Sequence, residues 1–300
     1  MISNPIPWPN GARCACAITF DMDAESLVHL AHPQKAPTMI STTSMLRYGP
    51  QIAVPRILDT YRRLGIKQTF FVPGWCAEQY PKAIDAILEG GHEIGHHGYI
   101  HEWAYDAGSQ SEEQYWLQRS VEAIEKATGQ RPRGSRAPMY SYSKHSTELL
   151  CREGFVYDSS LMGDDIPYML SCDQGRLVEL PSHWGMDDYP QYAHTPDLDY
   201  SMPIKAPTDA IRNYWEEFEA VHAHGGLWIA IWHPFLTGRL TRWHHIESMI
   251  TRMLEKGDVW FAPLEDIARH VLAMEQAGHF QPRVDELPYH NESVPVLHPG

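Results

Sequence analysis

Short apolar runs alternate with amphipathic patterns along most of the chain. Residues 12–20 form the first apolar run, and a helical pattern follows over about 52–64, where Ile57 and Tyr61 share one face at a spacing of four. Further strands are predicted near 67–73, 131–136, 155–158, 177–181, 226–232 and 258–262, and further helices after Pro81 and near 111–128, 143–153, 208–224, 241–256 and 263–276. Repeated β–α units predict an α/β fold, either a (β/α) barrel or a doubly wound parallel sheet.

The predicted strand over 226–232 is apolar on both faces, which is typical of a parallel strand covered by helices. No interior segment rich in Pro, Gly and Ser divides the chain, so we expect one domain spanning all 300 residues. Its ends are predicted to be an irregular segment over 1–12 and an extended tail over about 280–300. Residues 24–50 and 159–206 are long and irregular, and loops of such length commonly form lids or pocket walls.

The composition is that of an ordinary globular protein, with 43% hydrophobic and 21% charged residues. Lys and Arg number 24 against 38 Asp and Glu, and the resulting net charge of −14 disfavours nucleic acid and anionic membranes as partners. No apolar run is long enough for a membrane span and no leader pattern opens the chain, so a cytoplasmic location is predicted. The five cysteines include no CxxC pair, which favours free thiols over disulfides or a thiolate zinc site.

Two carboxylates stand at the end of the first predicted strand, in the sequence Thr-Phe-Asp-Met-Asp over 19–23. Residues two apart on a strand point to the same face, so Asp21 and Asp23 are expected to face one space. Such close carboxylates repel each other unless a cation lies between them or one of them holds a proton. Taken alone, the pair is more typical of a solvated loop.

Four histidines fall within ten residues, namely His92, His96, His97 and His101. On a helix, residues four apart share a face, so either His92 with His96 or His97 with His101 has the spacing to bind one metal ion. The glycines between them predict a tight strand-to-helix turn. That turn would place His97 and His101 on the helix and leave His92 as a structural residue.

Two later strand ends carry further candidates. Arg136 follows a predicted strand and precedes Pro138, so its guanidinium could orient a carboxylate while backbone N–H groups after the proline face a developing oxyanion. His233 follows the apolar strand over 226–232, where an imidazole suits general acid or base chemistry. A surface turn and a core histidine are the plainer alternatives.

Together these four segments resemble the polysaccharide deacetylase (NodB-homology) family. The family pattern is a T-F-D-D-like strand end, an H-[ST]-x-x-H metal motif, an R-x-P-x-[YF] turn and a late L-x-H strand. The corresponding segments here are 19–23, 97–101, 136–140 and 231–233, in the same order along the chain. Gly98 replaces the usual Ser or Thr, and the family's later D-W motif is only approximated, by residues 157–161.

The resemblance implies a distorted (β/α) barrel of seven or eight strands that holds a divalent metal on Asp23, His97 and His101. Zinc is the expected ion, and cobalt, nickel or manganese also suits this ligand set. Segments 97–102 and 157–162 look like the branch that contains cyclic imide hydrolases. Metal-lacking allantoinases are neighbours of that branch, but the retained Asp and His pair favours a metal-dependent mechanism.

The resemblance also assigns catalytic roles. Asp21 would be the general base, His233 the general acid and Arg136 the residue that positions Asp21, while the backbone N–H of Tyr140 would help to hold the oxyanion. The predicted substrate-binding residues are Tyr140, Tyr168, Trp184 and Trp232.

The expected activity is metal-dependent hydrolysis of a non-peptide carbon–nitrogen bond, with a small cyclic imide or related amide as the favoured substrate. Deacetylation of N-acetylated sugars or peptidoglycan and allantoinase-like ring opening are the alternatives within this class. A catalytically silent ligand-binding barrel is the alternative outside it. The proline-rich tail is compatible with a homo-oligomer and equally with a monomer.

Overall fold

The computed structural model describes residues 2–104 and 108–290. Its strands are β1 (Cys14–Asp21), β2 (Thr69–Val72), β3 (Glu93–His96), β4 (Gly134–Ser135), β5 (Tyr157–Asp158), β6 (Tyr168–Cys172), β7 (Gly175–Glu179), β8 (His194–Thr195), β9 (Tyr200–Ser201), β10 (Leu227–Trp232), β11 (Val259–Phe261) and β12 (Val284–Glu286). Its helices are α1 (Ser26–Ala31), α2 (Ile40–Tyr48), α3 (Val54–Leu64), α4 (Gly74–Gln79), α5 (Pro81–Glu89), α6 (Gln110–Thr128), α7 (Ser146–Glu153), α8 (Tyr189–Tyr192), α9 (Pro207–His224), α10 (Pro234–Thr237), α11 (Leu240–Leu254) and α12 (Leu264–Gln276).

A mostly parallel sheet forms the centre of the molecule. Its strands lie in the order β10–β1–β2–β3–β4–β5–β7, and each neighbouring pair in this series is parallel. An antiparallel β6 and then β12 extend the sheet beyond β7, and β11 pairs with the beginning of β1. Every residue of β1 and β10 is buried, as expected for parallel strands covered by helices. The carboxyl ends of the parallel strands therefore meet at one edge.

The two sides of this sheet approach each other and close it into a distorted barrel. The chain after β7 returns to β10, where Asp187 forms a single parallel bridge with Ile231 and the Asp188 N–H donates to the Ile231 carbonyl at 3.0 Å. Near the start of β10, the Leu227 N–H donates to the Asp165 carbonyl at 3.2 Å. The barrel is thus closed by a single-residue bridge and isolated backbone hydrogen bonds rather than by a full pair of strands. The predicted barrel is confirmed, and the doubly wound sheet is not found.

The predicted elements are found along the chain, with differences where the pattern is short. The strand predicted near 131–136 is reduced to the two residues of β4, and the irregular segment 24–50 contains α1 and α2. The irregular segment 159–206 contains β6, which forms a hairpin with β7. The five residues of β6 are too few to show a clear hydrophobic period in the sequence. The predicted tail contains β12, and residues 291–300 lie outside the described residues. Within the described ranges, no helix combines the length and apolarity needed to cross a bilayer.

Strand β4 fits into the sheet because Gly134 has no side chain. A Cβ atom at this position would lie 1.8 Å from Cζ and 2.2 Å from the hydroxyl oxygen of Tyr157, whose ring is fully buried. The Tyr157 hydroxyl donates to Glu93 Oε1 at 2.7 Å, so the ring cannot move away freely. The close approach of ring and backbone sets the position of the residue that follows β4, Arg136.

We expect the substitution Gly134→Ala to lower the free energy of unfolding by about 3 kcal/mol or more, because overpacking a filled core forces neighbouring atoms apart. Urea denaturation measures this loss. In a Tyr157→Ala background the same substitution should cost much less, since the ring that it meets is absent. An equal cost in both backgrounds would contradict the proposed contact.

Candidate functional site

The residues predicted to act in catalysis or metal binding lie at the carboxyl edge of the barrel. Asp21 is the last residue of β1, His97 directly follows β3, Arg136 directly follows β4 and His233 directly follows β10. This edge is where (β/α) barrels place their active sites, because side chains from several strands converge there. Asp23 and these four residues are each no more than 6% exposed.

Asp23, His97 and His101 come together as predicted. Nε2 of His97 lies 3.3 Å from Oδ1 of Asp23, and Nε2 of His101 lies 3.5 Å from Oδ2 of Asp23. One ligand atom from each of the three residues lies within 4.8 Å of the other two. A single ion between them would have one carboxylate and two imidazole ligands, with room for further ligands, as in catalytic zinc sites.

The way in which the two histidines converge differs from the prediction. Residues 97–103 form a loop rather than the start of a helix, and His101 has a positive φ of 66°. The Glu102 carboxylate holds this loop by accepting the N–H groups of Tyr99 at 2.8 Å and Ile100 at 2.7 Å. Gly98 has a φ of 68°, which is readily adopted only by glycine. The prediction that His97 and His101 face one site agrees with the structure, but the prediction that a helix carries them is wrong.

The orientation of His97 is set by its other ring nitrogen. Nδ1 of His97 lies 2.7 Å from the carbonyl oxygen of Arg136, so this nitrogen carries the proton and donates. The Nε2 lone pair is then left facing Asp23, as is common for histidine ligands of metals. Burial lowers the pKa of His101 to about 4 despite the nearby Asp23 carboxylate. Burial also acts to lower the pKa of His97, but the Asp21 and Asp23 carboxylates raise it.

The Asp23 carboxylate is the strongest indication of a bound cation. Both of its oxygens are buried and neither has a hydrogen-bond partner among the described residues. Burial alone would raise the pKa of Asp23, but His101, His233 and His97 hold that pKa well below its usual range, so the group is charged. A buried charge without hydrogen bonds is costly, and a cation would remove that cost.

A second cluster of possible ligands, Asp187, Asp188 and His233, fits a metal less well. Asp188 already accepts the His233 Nδ1–H at 2.7 Å, the His233 backbone N–H at 3.0 Å and the Thr237 N–H at 3.1 Å. Asp187 accepts the Tyr140 hydroxyl at 2.6 Å and the Tyr189 N–H at 2.7 Å. Because these oxygens have donors, the triad around Asp23 is the candidate metal centre.

Asp21 is held beside the triad by a buried arginine. Nη1 of Arg136 donates to Asp21 Oδ1 at 2.7 Å and to Thr19 Oγ1 at 2.7 Å. The rest of the guanidinium donates to the carbonyl and hydroxyl oxygens of Ser159, each at 3.0 Å, and lies over the Phe71 ring. Asp21 Oδ2 remains 3.8 Å from the Nε2 of His97. The carboxylate thus has one fixed oxygen and one that faces the triad.

His233 faces the triad from the opposite strand, and Asp188 fixes its orientation. The Asp188 carboxylate accepts the Nδ1–H, and Nε2 of His233 lies 3.3 Å from Asp23 Oδ2. Burial lowers the pKa of His233, but Asp188 and Asp23 raise it well above its usual value. Both carboxylates therefore favour a proton on this imidazole at the edge of the site.

Asp188 is a candidate functional residue that the sequence interpretation missed. The D-W motif was matched to residues 157–161, but Asp158 lies against Glu179 and accepts the Ser160 N–H at 2.8 Å. The acid and aromatic residue beside the site are Asp188 and Tyr189, and the Tyr189 ring packs on His233 at 5.2 Å. An acid followed by an aromatic residue is the signal that would have found this pair.

Tyr140 lies at the site, but its backbone does not act as predicted. The Tyr140 N–H donates to the Ala137 carbonyl at 2.9 Å in a tight turn, so this N–H is already engaged and the oxyanion role is corrected. The Tyr140 ring packs edge-on against Trp184, and both line the small pocket beside the triad. Tyr140 and Trp184 are thus placed where a substrate would touch them.

Two predicted substrate-binding residues lie elsewhere. The Tyr168 ring is buried under Arg283 within a separate hydrophobic cluster, and the Trp232 ring is buried between Phe20 and Tyr214. Neither lines the pocket beside the triad. Side chains alternate along a strand, so Trp232 points away from the face that His233 serves. Both assignments are corrected to core packing.

We expect the substitution Asp23→Ala to weaken zinc binding more than about 100-fold. Replacing a residue that only orients a metal ligand lowers metal affinity about 10- to 100-fold, and loss of a ligand itself should cost more. Calorimetric titration of chelator-treated protein with zinc chloride measures the change. Asp187→Ala is the matched control, since it removes a buried carboxylate from the second cluster and should leave zinc affinity nearly unchanged. Loss of binding in the Asp187 variant alone would contradict the assignment.

Comparison with known proteins agrees with this geometry. The family model described as polysaccharide deacetylase matches residues 44–157. The peptidoglycan deacetylase of Helicobacter pylori is 30% identical over 199 aligned residues, which cover 58% of this chain and 68% of that protein. A peptidoglycan deacetylase-like protein of Gibberella zeae is 28% identical over 305 aligned residues, which cover 89% of each.

A solved structure from Mycobacterium smegmatis, assigned as a polysaccharide deacetylase, is similar over almost the whole chain. It is 40% identical, with a TM-score of 0.90, and the match covers 97% of this chain and 99% of that one. The chain belongs to the polysaccharide deacetylase family, a family of hydrolases that cleave carbon–nitrogen bonds other than peptide bonds.

Proposed function

We propose that this enzyme is a metal-dependent hydrolase of an amide or imide bond in a small substrate, with a cyclic imide or related amide as the first candidate. The observation that carries this proposal is the buried Asp23 carboxylate, which lacks hydrogen bonds and faces His97 and His101. Asp23, His97 and His101 would hold a divalent ion, which would act as a Lewis acid that polarises a carbonyl group and lowers the pKa of water. Zinc is the ion that we propose, and cobalt, nickel or manganese also suits these ligands.

Asp21 serves as the general base in this proposal. Its Oδ1 is fixed by Arg136, and its Oδ2 faces the space beside His97. When water attacks the carbonyl carbon, Oδ2 accepts the proton that the water loses. The buried guanidinium keeps the carboxylate in one orientation throughout, because its hydrogen bonds to Thr19 and Ser159 leave it no other position.

His233 serves as the general acid. The bond between the carbonyl carbon and nitrogen breaks only if the departing nitrogen receives a proton. Nε2 of His233 can deliver it, because Asp188 holds the Nδ1–H and directs the other nitrogen toward the triad. A complete set of base, acid and ligand side chains argues against the alternative of a catalytically silent barrel.

The pocket around these groups is small. Its volume is about 40 Å³, and Tyr140, Trp184 and Tyr189 form its aromatic side. A planar imide or an acetamido group has a flat face that can pack against these rings. The second candidate is therefore deacetylation of an N-acetylated sugar, and it is favoured by the relatives that are peptidoglycan deacetylases. A cytoplasmic location and self-association remain predictions.

Asp188→Asn should lower kcat by about 10- to 100-fold with little change in KM, because the amide cannot hold His233 in the same protonated orientation. Steady-state kinetics of the zinc-loaded enzyme measures both constants. Asp209→Asn makes the same change at an exposed position on α9 and should leave both constants unaltered. An unaltered kcat in the Asp188 variant would remove Asp188 from the mechanism.

A substrate panel separates the candidate reactions. Zinc-loaded enzyme is assayed with succinimide, hydantoin, dihydrouracil, allantoin and N-acetylglucosamine oligomers, alongside chelator-treated enzyme and the Asp23→Ala variant. We expect turnover of a cyclic imide that disappears in both controls. Turnover of the oligomers alone would establish the second candidate instead, and full activity without metal would overturn the proposed mechanism.

A further inference from the structure

A large chamber adjoins the small reaction pocket. Its volume is about 670 Å³, well within the range of about 300–1,000 Å³ that is usual for small-molecule sites. Leu27, His101, Ala137, Met139 and Tyr189 line both spaces, so the chamber begins at the candidate metal ligand itself. A substrate whose reacting bond lies in the pocket therefore has space for a further group in the chamber.

The walls of the chamber are predominantly apolar. Leu27 and Leu30 of α1 form one side, and Leu117 of α6 with Leu149 and Leu150 of α7 forms the other. The leucines of α6 and α7 belong to a hydrophobic cluster that continues beneath the chamber. Burying an apolar group against such a wall is favourable in proportion to the area removed from water.

The chamber is open at one side. Leu30, Trp103 and Met139 all line it, and these side chains are 38%, 38% and 37% exposed. Large apolar side chains half-exposed around a cavity are typical of an entrance through which an apolar ligand passes. A small molecule can therefore reach the reaction pocket through the chamber.

The charged groups of the lining are all acidic. Glu102, Glu112, Glu113, Asp158 and Asp199 line the chamber, and no described Lys or Arg does. An anionic substituent in this chamber would meet several carboxylates and no described Lys or Arg. A bound group is thus expected to lack negative charge.

A buried polar atom at the floor of the chamber has no hydrogen-bond partner among the described residues. This atom is Nε2 of His96, a residue that is 6% exposed. His96 is held from its other side by Ser135, whose hydroxyl lies 3.2 Å from Nδ1. Asp158 at the same floor is fully buried and already pairs with the Glu179 carboxyl group. A neutral polar group on a ligand can supply the partner that His96 lacks.

Building on the proposed function, we propose that the substrate is an amide or imide bearing an uncharged, mainly apolar substituent, an aryl or alkyl group, which binds in this chamber. A neutral hydrogen-bonding group at the far end of that substituent would reach His96. The leucine wall favours a hydrocarbon group over a sugar ring on that side, because sugar hydroxyl groups that face leucine side chains would lose their hydrogen bonds to water.

The test compares succinimide, phenylsuccinimide and a succinimide that carries a carboxymethyl group. With zinc-loaded enzyme we expect kcat/KM to be at least tenfold higher for the phenyl compound than for succinimide, and lowest for the carboxymethyl compound. Leu30→Glu should abolish the preference for phenyl, because it adds a charge to the chamber wall at a position exposed enough to tolerate it. Ile40→Glu, at a 70% exposed position outside the chamber, is the matched control and should keep the preference.

Binding is measured separately from turnover. Calorimetric titration of zinc-loaded Asp21→Asn protein with phenylsuccinimide and succinimide should show the same tenfold preference even if neither compound is hydrolysed. Preferential binding by this variant, together with no turnover by the unaltered zinc-loaded enzyme, would support the chamber while contradicting the proposed imide reaction. Equal binding of the two compounds, or a phenyl preference that survives Leu30→Glu, would overturn the chamber proposal.

Discussion

The site depends on one buried carboxylate that the protein itself leaves without hydrogen bonds. Asp23 is 1% exposed and is surrounded by the imidazoles of His97, His101 and His233. An ionised carboxylate in such surroundings would cost several kcal/mol if nothing compensated it. The surrounding fold supplies partial compensation through histidines, and a cation would supply the rest. The other candidate catalytic groups, Asp21 and His233, are arranged around that charge.

The barrel closure also serves the site. The return of the chain to β10 is held by the bridge between Asp187 and Ile231, and this bridge places Asp188 against His233. The same short segment therefore completes the sheet and orients the proposed acid. Pairing ends after this single bridge. The Asp188 carboxylate directly after it contacts the His233 imidazole.

Much of the fold and of the metal site could be predicted from the sequence. Parallel strands such as β10 have an apolar pattern on both faces, and their ends place Asp21, Asp23 and His233 at one edge. Distant contacts could not be predicted in this way. The loop that brings His101 to Asp23 depends on Glu102 binding backbone N–H groups, which has no periodic pattern. Asp188 was missed because its role depends on where the chain meets β10.

The roles of the aromatic residues also could not be predicted from the sequence. Trp184 and Trp232 are equally suited by type to a substrate pocket, yet one lines the site and the other fills the core. Whether a tryptophan lines a pocket or fills the core depends on the face of the strand or turn from which its side chain projects. Composition cannot distinguish them, because both burial in a core and contact with a ligand favour large rings.

Helix α1 begins three residues after Asp23, and the Ser26 hydroxyl donates to the Asp23 carbonyl at 2.6 Å. The same helix carries Leu27 and Leu30 along the chamber. One short stretch of polypeptide therefore carries both a proposed metal ligand and part of the proposed substituent site. Exchanging side chains on the chamber face of this helix would alter the preferred substituent while leaving the backbone around Asp23 in place.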